Sequence, residues 1–184
     1  MTPKAALRQT IRARRRALSP DQRQEETTAL LDFLEPLVAG VTDLASYLAL
    51  GDEIDVRQLH ERWWQAGRAV WLPRVQGLDL TWHAVRSPAT CRPGSFGVWE
   101  PDPGLVPAAP LPPQATILVP GVAFDAQGGR LGQGKGFYDR ALATHAGPTI
   151  GLGFTCQEVP RVPREAHDLA LGTILLGGRR LTPA

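Results

Sequence analysis

The chain has 184 residues, 43% of them hydrophobic and 21% charged, which suits one globular domain over residues 1–184 with a core of its own. A net charge of +2 fits anionic ligands without requiring nucleic acid, and no run of about 18 apolar residues is there to span a membrane. The two cysteines, Cys91 and Cys156, match no metal or redox spacing and make no disulfide scaffold, so a reducing, cytoplasmic home is expected.

Thr2-Pro3 places an N-cap and an N1 proline before a helix through about Ala17. Leu7, Ile11 and Leu18 form one stripe, and Lys4, Arg8, Arg12 and Arg15 an adjacent arc over roughly 80°. The spacing predicts a half-buried helix with a basic shoulder. Ser19 to Gln22 has a capping-box pattern. It starts a second helix to about Val38, with Leu30, Phe33, Leu34 and Leu37 inward. Asp43 to Leu50 reads as a buried strand ended by Gly51-Asp52-Glu53. Asp55 caps a third helix with Val56, Leu59, Trp63 and Ala66 inside, and Gly67 stops it.

Strands are expected over Ala69–Leu72 and Leu78–Val85. Ser87 to Gln114, rich in Pro and Gly, reads mostly as loop. Ala115–Val119 is a short strand and Gly121–Gly136 a long glycine-rich loop. A helix follows from Phe137 to about His145, then strands over Thr149–Phe154 and Leu169–Leu176. Helices alternating with short apolar runs predict an α/β fold with a mainly parallel sheet covered on both faces.

The informative stretch is GVAFDAQGGRLGQGKGFYDR, Gly121 to Arg140. Strand, glycine-rich loop and helix start is a layout that turns backbone N–H groups toward a phosphate. Gly132, Gly134 and Gly136 alternate, so a ligand can approach the backbone, and Arg130 and Lys135 add charge. Glycine loops are also plain tight turns; the alternation with a basic pair favours the phosphate. Gly129 to Lys135 nearly spells a Walker A loop. Gly136 stands where its Ser or Thr would hold magnesium, and the preceding strand ends about nine residues too early. A metal held here needs carboxylates from elsewhere. Asp139 and Asp168 are candidates, although helix-start and pre-strand aspartates also have plain structural roles. Of the 20 basic residues only Lys4 and Lys135 are lysine. An arginine bias of that size reflects a GC-rich genome, and lysine is a compact point contact for phosphate.

PGVAFD followed by RLGQGKGFYDR resembles the signature of the 5-formyltetrahydrofolate cyclo-ligase (methenyltetrahydrofolate synthetase) family. The likeness covers nearly the whole chain. It takes in Lys4 and Arg8, Tyr47-Leu48, Asp52 to Asp55, Leu72 to Val75, Gly97 to Pro101, and Gln157, Pro163, Glu165, His167 and Asp168. Gln133 and Phe137 fill positions that the family often gives to aromatic residues. The resemblance implies a three-layer sandwich akin to the sugar-phosphate isomerase and CoA-transferase group. It implies ATP-dependent closure of 5-formyltetrahydrofolate to 5,10-methenyltetrahydrofolate, with ATP as co-substrate and Mg²⁺ as cofactor. ATP would meet Lys4, Arg8 and the loop Arg130, Leu131, Gly132, Gln133, Gly134, Lys135, Gly136, Phe137 and Tyr138. Leu48, Glu53 and residues 133–137 would meet the folate. Asp139 and Asp168 would hold Mg²⁺, and Lys135 and Arg130 would be catalytic. His167 is expected to be structural.

Two alternatives stand beside this. One is a same-fold paralogue with another substrate, such as a sugar-phosphate isomerase. The other is a nucleic-acid-binding module using the first helix, which carries Lys4, Arg8, Arg12, Arg14, Arg15 and Arg16 before the first acid, Asp21. The apolar stripe of that helix argues for a packed element, so nucleic acid is not the expected partner, nor is a membrane. A monomer is expected.

Overall fold

The structure, a computed structural model, describes residues 2–94, 97–165 and 168–181. His167 lies outside the described residues. Helix α1, Pro3–Ala17, starts where the sequence says: the Thr2 side chain accepts from the Ala5 backbone N–H. Helix α2, Pro20–Val38, is closed by the expected capping box, Gln22 N–H to Ser19 Oγ at 3.2 Å and Ser19 N–H to Gln22 Oε1 at 2.9 Å. Two orphan N–H groups are thereby satisfied. Strand β1 is only Leu44–Ala45, and helix α3 spans Arg57–Gln65. Val56 is its N-cap, and Asp55 accepts the Arg57 N–H at 3.0 Å from one position further out.

Strands β2, Val70–Gln76, and β3, Asp79–Val85, form a hairpin. A small hairpin follows, β4 at Cys91–Pro93 and β5 at Trp99–Pro101, inside the stretch expected to be loop. Strand β6 is Thr116–Pro120. Within the glycine-rich segment, β7 at Ala123–Phe124 pairs with β8 at Arg130–Leu131. Helix α4 covers Phe137–Ala143, β9 Thr149–Gly153, β10 Thr173–Leu176 and β11 Arg179–Leu181.

The main sheet runs β11-β10-β9-β6-β1-β2-β3. The five inner strands are parallel, and β11 and β3 are antiparallel edges. Side chains alternate across it. Leu44, Leu118, Ile150, Leu152 and Leu175 face one layer with Leu30 and Leu34 of α2 and Leu59 and Trp63 of α3. Ala45, Ile117, Val119, Ile174 and Leu176 face the other with Phe124 and Leu142 of α4. The result is a three-layer α/β arrangement with a mainly parallel sheet. Each such buried aliphatic side chain contributes about 1.5–3 kcal/mol.

Further expectations change: Ala66 of the expected α3 inner face is exposed, and the strand expected from Leu169 begins at Thr173. Phe33 and Leu37 are 40% and 44% exposed, because Leu30, Leu31, Leu34 and Val38 already fill the buried face of α2. The strand expected over residues 43–50 leaves the sheet after Ala45. Tyr47 turns its hydroxyl onto the Ile54 carbonyl at 3.0 Å, and Tyr47, Leu48 and Leu50 become part of the wall of the site described next. The basic shoulder of α1 is not solvated throughout. Arg15 is 2% exposed and pairs with Asp52 at 2.7 Å. Ile11 and Leu7 pack on Val122, Ala123, Leu131, Val159 and Val162, so α1 straps the β7–β8 hairpin.

Candidate functional site

Two adjoining cavities lie beyond the carboxyl ends of β1 and β6, where ligands gather in open α/β sheets. The first, about 340 Å³, is walled largely by apolar groups, among them Tyr47, Leu48, Pro73, Val75 and Phe137, with Glu53 and Glu100 as carboxylates. The second, about 580 Å³, is polar: Lys4, Arg8, Arg130 and Arg164 face Asp139, Glu165 and Asp168. Both sizes suit small molecules. Arg130, Gly132, Gly136 and Asp139 line both cavities and so form a common wall.

The glycine loop is held from several sides. Arg8 Nε donates to the Gly132 carbonyl at 2.8 Å. Arg12 donates to Gln133 Oε1 at 2.6 Å, and Gln133 Nε2 donates to Glu53 Oε1 at 3.0 Å. Gly134 and Gly136 have φ of 101° and 72°, values that a side chain would strain. Gly136 is the residue before α4, so the left-handed turn there points the helix start at the cavities. Lys135 between them is exposed and lines the first cavity. Arg130, with a side chain 5% exposed, pairs with Asp139. The Tyr138 hydroxyl is buried without a hydrogen-bond partner among the described residues; burial first, then the Glu53 charge, raises its pKa well above the usual phenol value.

Sequence reasoning missed what fixes the loop's root. Asp125 is fully buried and accepts three backbone N–H groups: Gln127 at 3.0 Å, Gly129 at 2.7 Å and Val162 at 2.8 Å. Arg164 pairs with it at 3.4 Å. Gln157, also buried, donates to the Gly121 and Val122 carbonyls at 2.8 and 3.1 Å and so holds the chain where it leaves β6. Both lie within family motifs, the only signal that marked them. Asp125→Ala orphans three buried donors and the Arg164 cation. It is expected to cost about 3–5 kcal/mol, read as a lower denaturant midpoint at unchanged slope. A loss under about 1 kcal/mol contradicts this anchoring role.

Glu53 is a second titration point. Burial raises its pKa above the ordinary carboxylate value, although the Leu50 N–H, at 3.1 Å, and Gln133 pull it the other way. The folded protein therefore binds this proton more tightly than the unfolded chain. Stability falls as pH climbs from the unfolded value through the raised folded one, and the penalty is complete above it. Glu53→Gln removes that penalty. The melting temperature of the variant minus that of the wild type is expected to increase from about pH 4 to about pH 7. A difference that stays flat or falls contradicts a burial-driven shift.

In the second cavity, Lys4 Nζ lies 2.7 Å from Asp168 Oδ2 and 3.1 Å from Glu165 Oε1. Burial alone would lower its pKa; the hydrogen bonds and charges of Asp168 and Glu165 outweigh it and hold the ammonium above its usual value. Asp168 Oδ2 also accepts the Glu165 N–H at 2.7 Å. The candidates Asp139 and Asp168 thus stand on one cavity, each against a cation. Two carboxylates beside room for phosphate oxygens fit the ligand needs of Mg²⁺. Among the described residues no cluster of three or more His, Cys, Asp or Glu could hold a metal.

The model of the 5-formyltetrahydrofolate cyclo-ligase family matches residues 1–177. The chain belongs to that family. The 5-formyltetrahydrofolate cyclo-ligases of Escherichia coli and Haemophilus influenzae are 33% and 32% identical to it; the alignments cover 90% and 91% of this chain and 95% and 92% of theirs. The solution structure of Aquifex aeolicus 5,10-methenyltetrahydrofolate synthetase superposes with a TM-score of 0.82 at 30% identity, covering 98% of this chain and 93% of that one. The Mycoplasma pneumoniae synthetase gives 0.68 at 25% identity, covering 94% and 98%. Cyclo-ligases are enzymes of folate one-carbon chemistry, and the α/β fold is theirs. Kinship to sugar-phosphate isomerases and CoA transferases stays an implication of the resemblance.

Proposed function

We propose that this chain closes 5-formyltetrahydrofolate to 5,10-methenyltetrahydrofolate at the expense of ATP, with the folate in the first cavity and the nucleotide in the second. The observation that carries this is the wall common to an apolar cavity and a charged one. A formamide is a poor electrophile and its oxygen a poor leaving group. Transfer of the γ-phosphoryl group from ATP to the formyl oxygen cures both defects. ADP is left behind; N10 then attacks the activated carbon and gives up its proton to water, the C–O bond breaks, and inorganic phosphate leaves carrying the former formyl oxygen. The two substrates must meet over a short distance, and Arg130, Gly132, Gly136 and Asp139 border both spaces.

Lys4 and Arg8 hold the phosphate tail from α1. Arg130 and Lys135 face the charge that spreads over the transferring group, where a fixed cation lowers the barrier. Asp139 and Asp168 would hold Mg²⁺, which when bound neutralises phosphate oxygens. Leu48, Tyr47 and Pro73 give the folate an apolar bed, and Glu53 accepts a hydrogen bond from it. The mixed charge of the second cavity suits a magnesium nucleotide better than a bare anion. On entry of the complex, Lys4 and Arg130 would meet phosphate oxygens, and Asp168 and Asp139, which they pair with here, would meet the metal.

The nucleic-acid alternative needs the basic arc of α1 to face outward. Lys4, Arg8, Arg12 and Arg15 instead engage Asp168, Gly132, Gln133 and Asp52, which leaves Arg14 and Arg16 as the exposed members of the six. No helix among the described residues is long and apolar enough to cross a membrane, and both cysteines are free, which suits the proposed cytoplasmic setting. The deciding experiment follows methenyltetrahydrofolate absorbance from 5-formyltetrahydrofolate with and without ATP. Product that forms only with ATP supports the proposal. No product with both substrates and Mg²⁺ present overturns it and leaves the paralogue reading.

A further inference from the structure

Trp99 is 54% exposed, although it sits on a strand and lines the first cavity. The other tryptophans are covered: Trp63 and Trp82 are buried, and Trp64 and Trp71 give their indole N–H to the Val85 carbonyl and to Asp43. Among the described residues, Trp99 stacks on no other ring. One exposed apolar residue is ordinary. An exposed indole carried by a fixed hairpin at a cavity edge is a surface ready for a flat ligand.

The hairpin is fixed by the neighbouring residue. Glu100 is 3% exposed, accepts the Val75 N–H at 3.4 Å and pairs with Arg74 at 3.4 Å. Arg74 also donates to the Pro101 carbonyl at 3.1 Å. Strand β5 is therefore tied to β2, and the exposed indole is held on the cavity's lining.

We infer that Trp99 is the stacking platform for the p-aminobenzoyl ring of the folate, an inference that rests on the proposed cyclo-ligase activity. The chemistry of the substrate selects that ring. N5 and N10 must lie near the wall shared with the second cavity, because the phosphoryl donor enters there. N10 is bonded directly to the benzoyl ring, so the ring leads away from that wall toward the mouth. Trp99 borders the first cavity alone, and Phe137 faces the same space. The pterin takes the deeper bed beside Tyr47 and Leu48.

The test titrates intrinsic tryptophan fluorescence with p-aminobenzoylglutamate, corrected for absorbance, in wild type, Trp99→Phe and Trp99→Ala. Quenching is expected in the wild type and its loss in both variants. In turnover, Trp99→Ala should raise KM for 5-formyltetrahydrofolate about tenfold and leave KM for ATP unchanged. Trp99→Phe, which keeps a ring, should recover most of that rise. Unaltered melting curves guard against misfolding. Quenching that persists in Trp99→Phe, or a folate KM that does not move in Trp99→Ala, overturns the assignment. A wild type that is quenched but makes no methenyl product would instead fail the activity and keep the aromatic platform.

Discussion

Lys135→Ala is expected to lower kcat by about two to three orders of magnitude, the scale of about 3–4 kcal/mol for losing one fixed contact to transition-state charge. The structure makes the variant informative. Lys135 is exposed at the crest of the loop, between two glycines with positive φ. The crest keeps its shape through backbone contacts that the substitution leaves in place: Arg8 to the Gly132 carbonyl and Arg140 Nη2 to the Lys135 carbonyl at 3.2 Å. Melting temperature should therefore match the wild type. ATP binding should weaken far less than turnover, because the contact strengthens as charge spreads over the transferring group. Lys135→Arg should recover only part of the rate, since a planar fork does not replace a compact ammonium. A folded Lys135→Ala protein with near-normal kcat would remove Lys135 from the chemistry.

Local signals in the sequence survive best. Thr2-Pro3 and the Ser19–Gln22 capping box start α1 and α2 where their side-chain hydrogen bonds dictate, because a cap is decided by three or four adjacent residues. The alternating glycines announce a loop whose backbone turns left-handed at Gly134 and Gly136. Features that depend on distant partners are not legible. The β7–β8 hairpin is two residues per strand, too short for any period to show. Arg15 has the composition of a surface residue, and only Asp52, 37 positions on, explains its burial. Asp125 drew no reading of its own from the sequence, because one of its three donors, Val162, closes on it from 37 positions away. Tyr47 and Leu48 look like strand and prove to be cavity wall, because the chain bends toward Ile54 after Ala45. Within the site, the alternating glycines and the basic pair marked the loop, whereas the family resemblance alone brought Lys4 and Asp168 to one site and did not give their pairing across 164 positions.

Asp139→Asn and Asp168→Asn are each expected to raise the Mg²⁺ concentration for half-maximal activity about ten- to a hundredfold, and the double variant to do little more than the worse single one. The reason lies in the second cavity. Asp139 comes from the first turn of α4 and Asp168 from the segment before β10, yet both line one space of about 580 Å³. Gly136 supplies no hydroxyl, so a metal held beside the loop would need protein oxygens from other segments, and under the proposal Asp139 and Asp168 supply them. Removing either carboxylate removes one ligand of a common ion, and effects on a common ion do not add. The neighbours differ, which separates metal loss from structural loss. Asp139→Asn leaves the nearly buried Arg130 without its carboxylate and should lower the melting temperature. Asp168→Asn leaves Lys4 with Glu165 at 3.1 Å and should lower it less. Calorimetry reads the metal without turnover: the gain in ATP affinity on adding Mg²⁺ should shrink in both variants, while affinity for metal-free ATP stays level or rises, since a negative charge next to the phosphates has gone. Full additivity of the two changes, or an unaltered Mg²⁺ requirement in either, would show that the two aspartates do not share an ion.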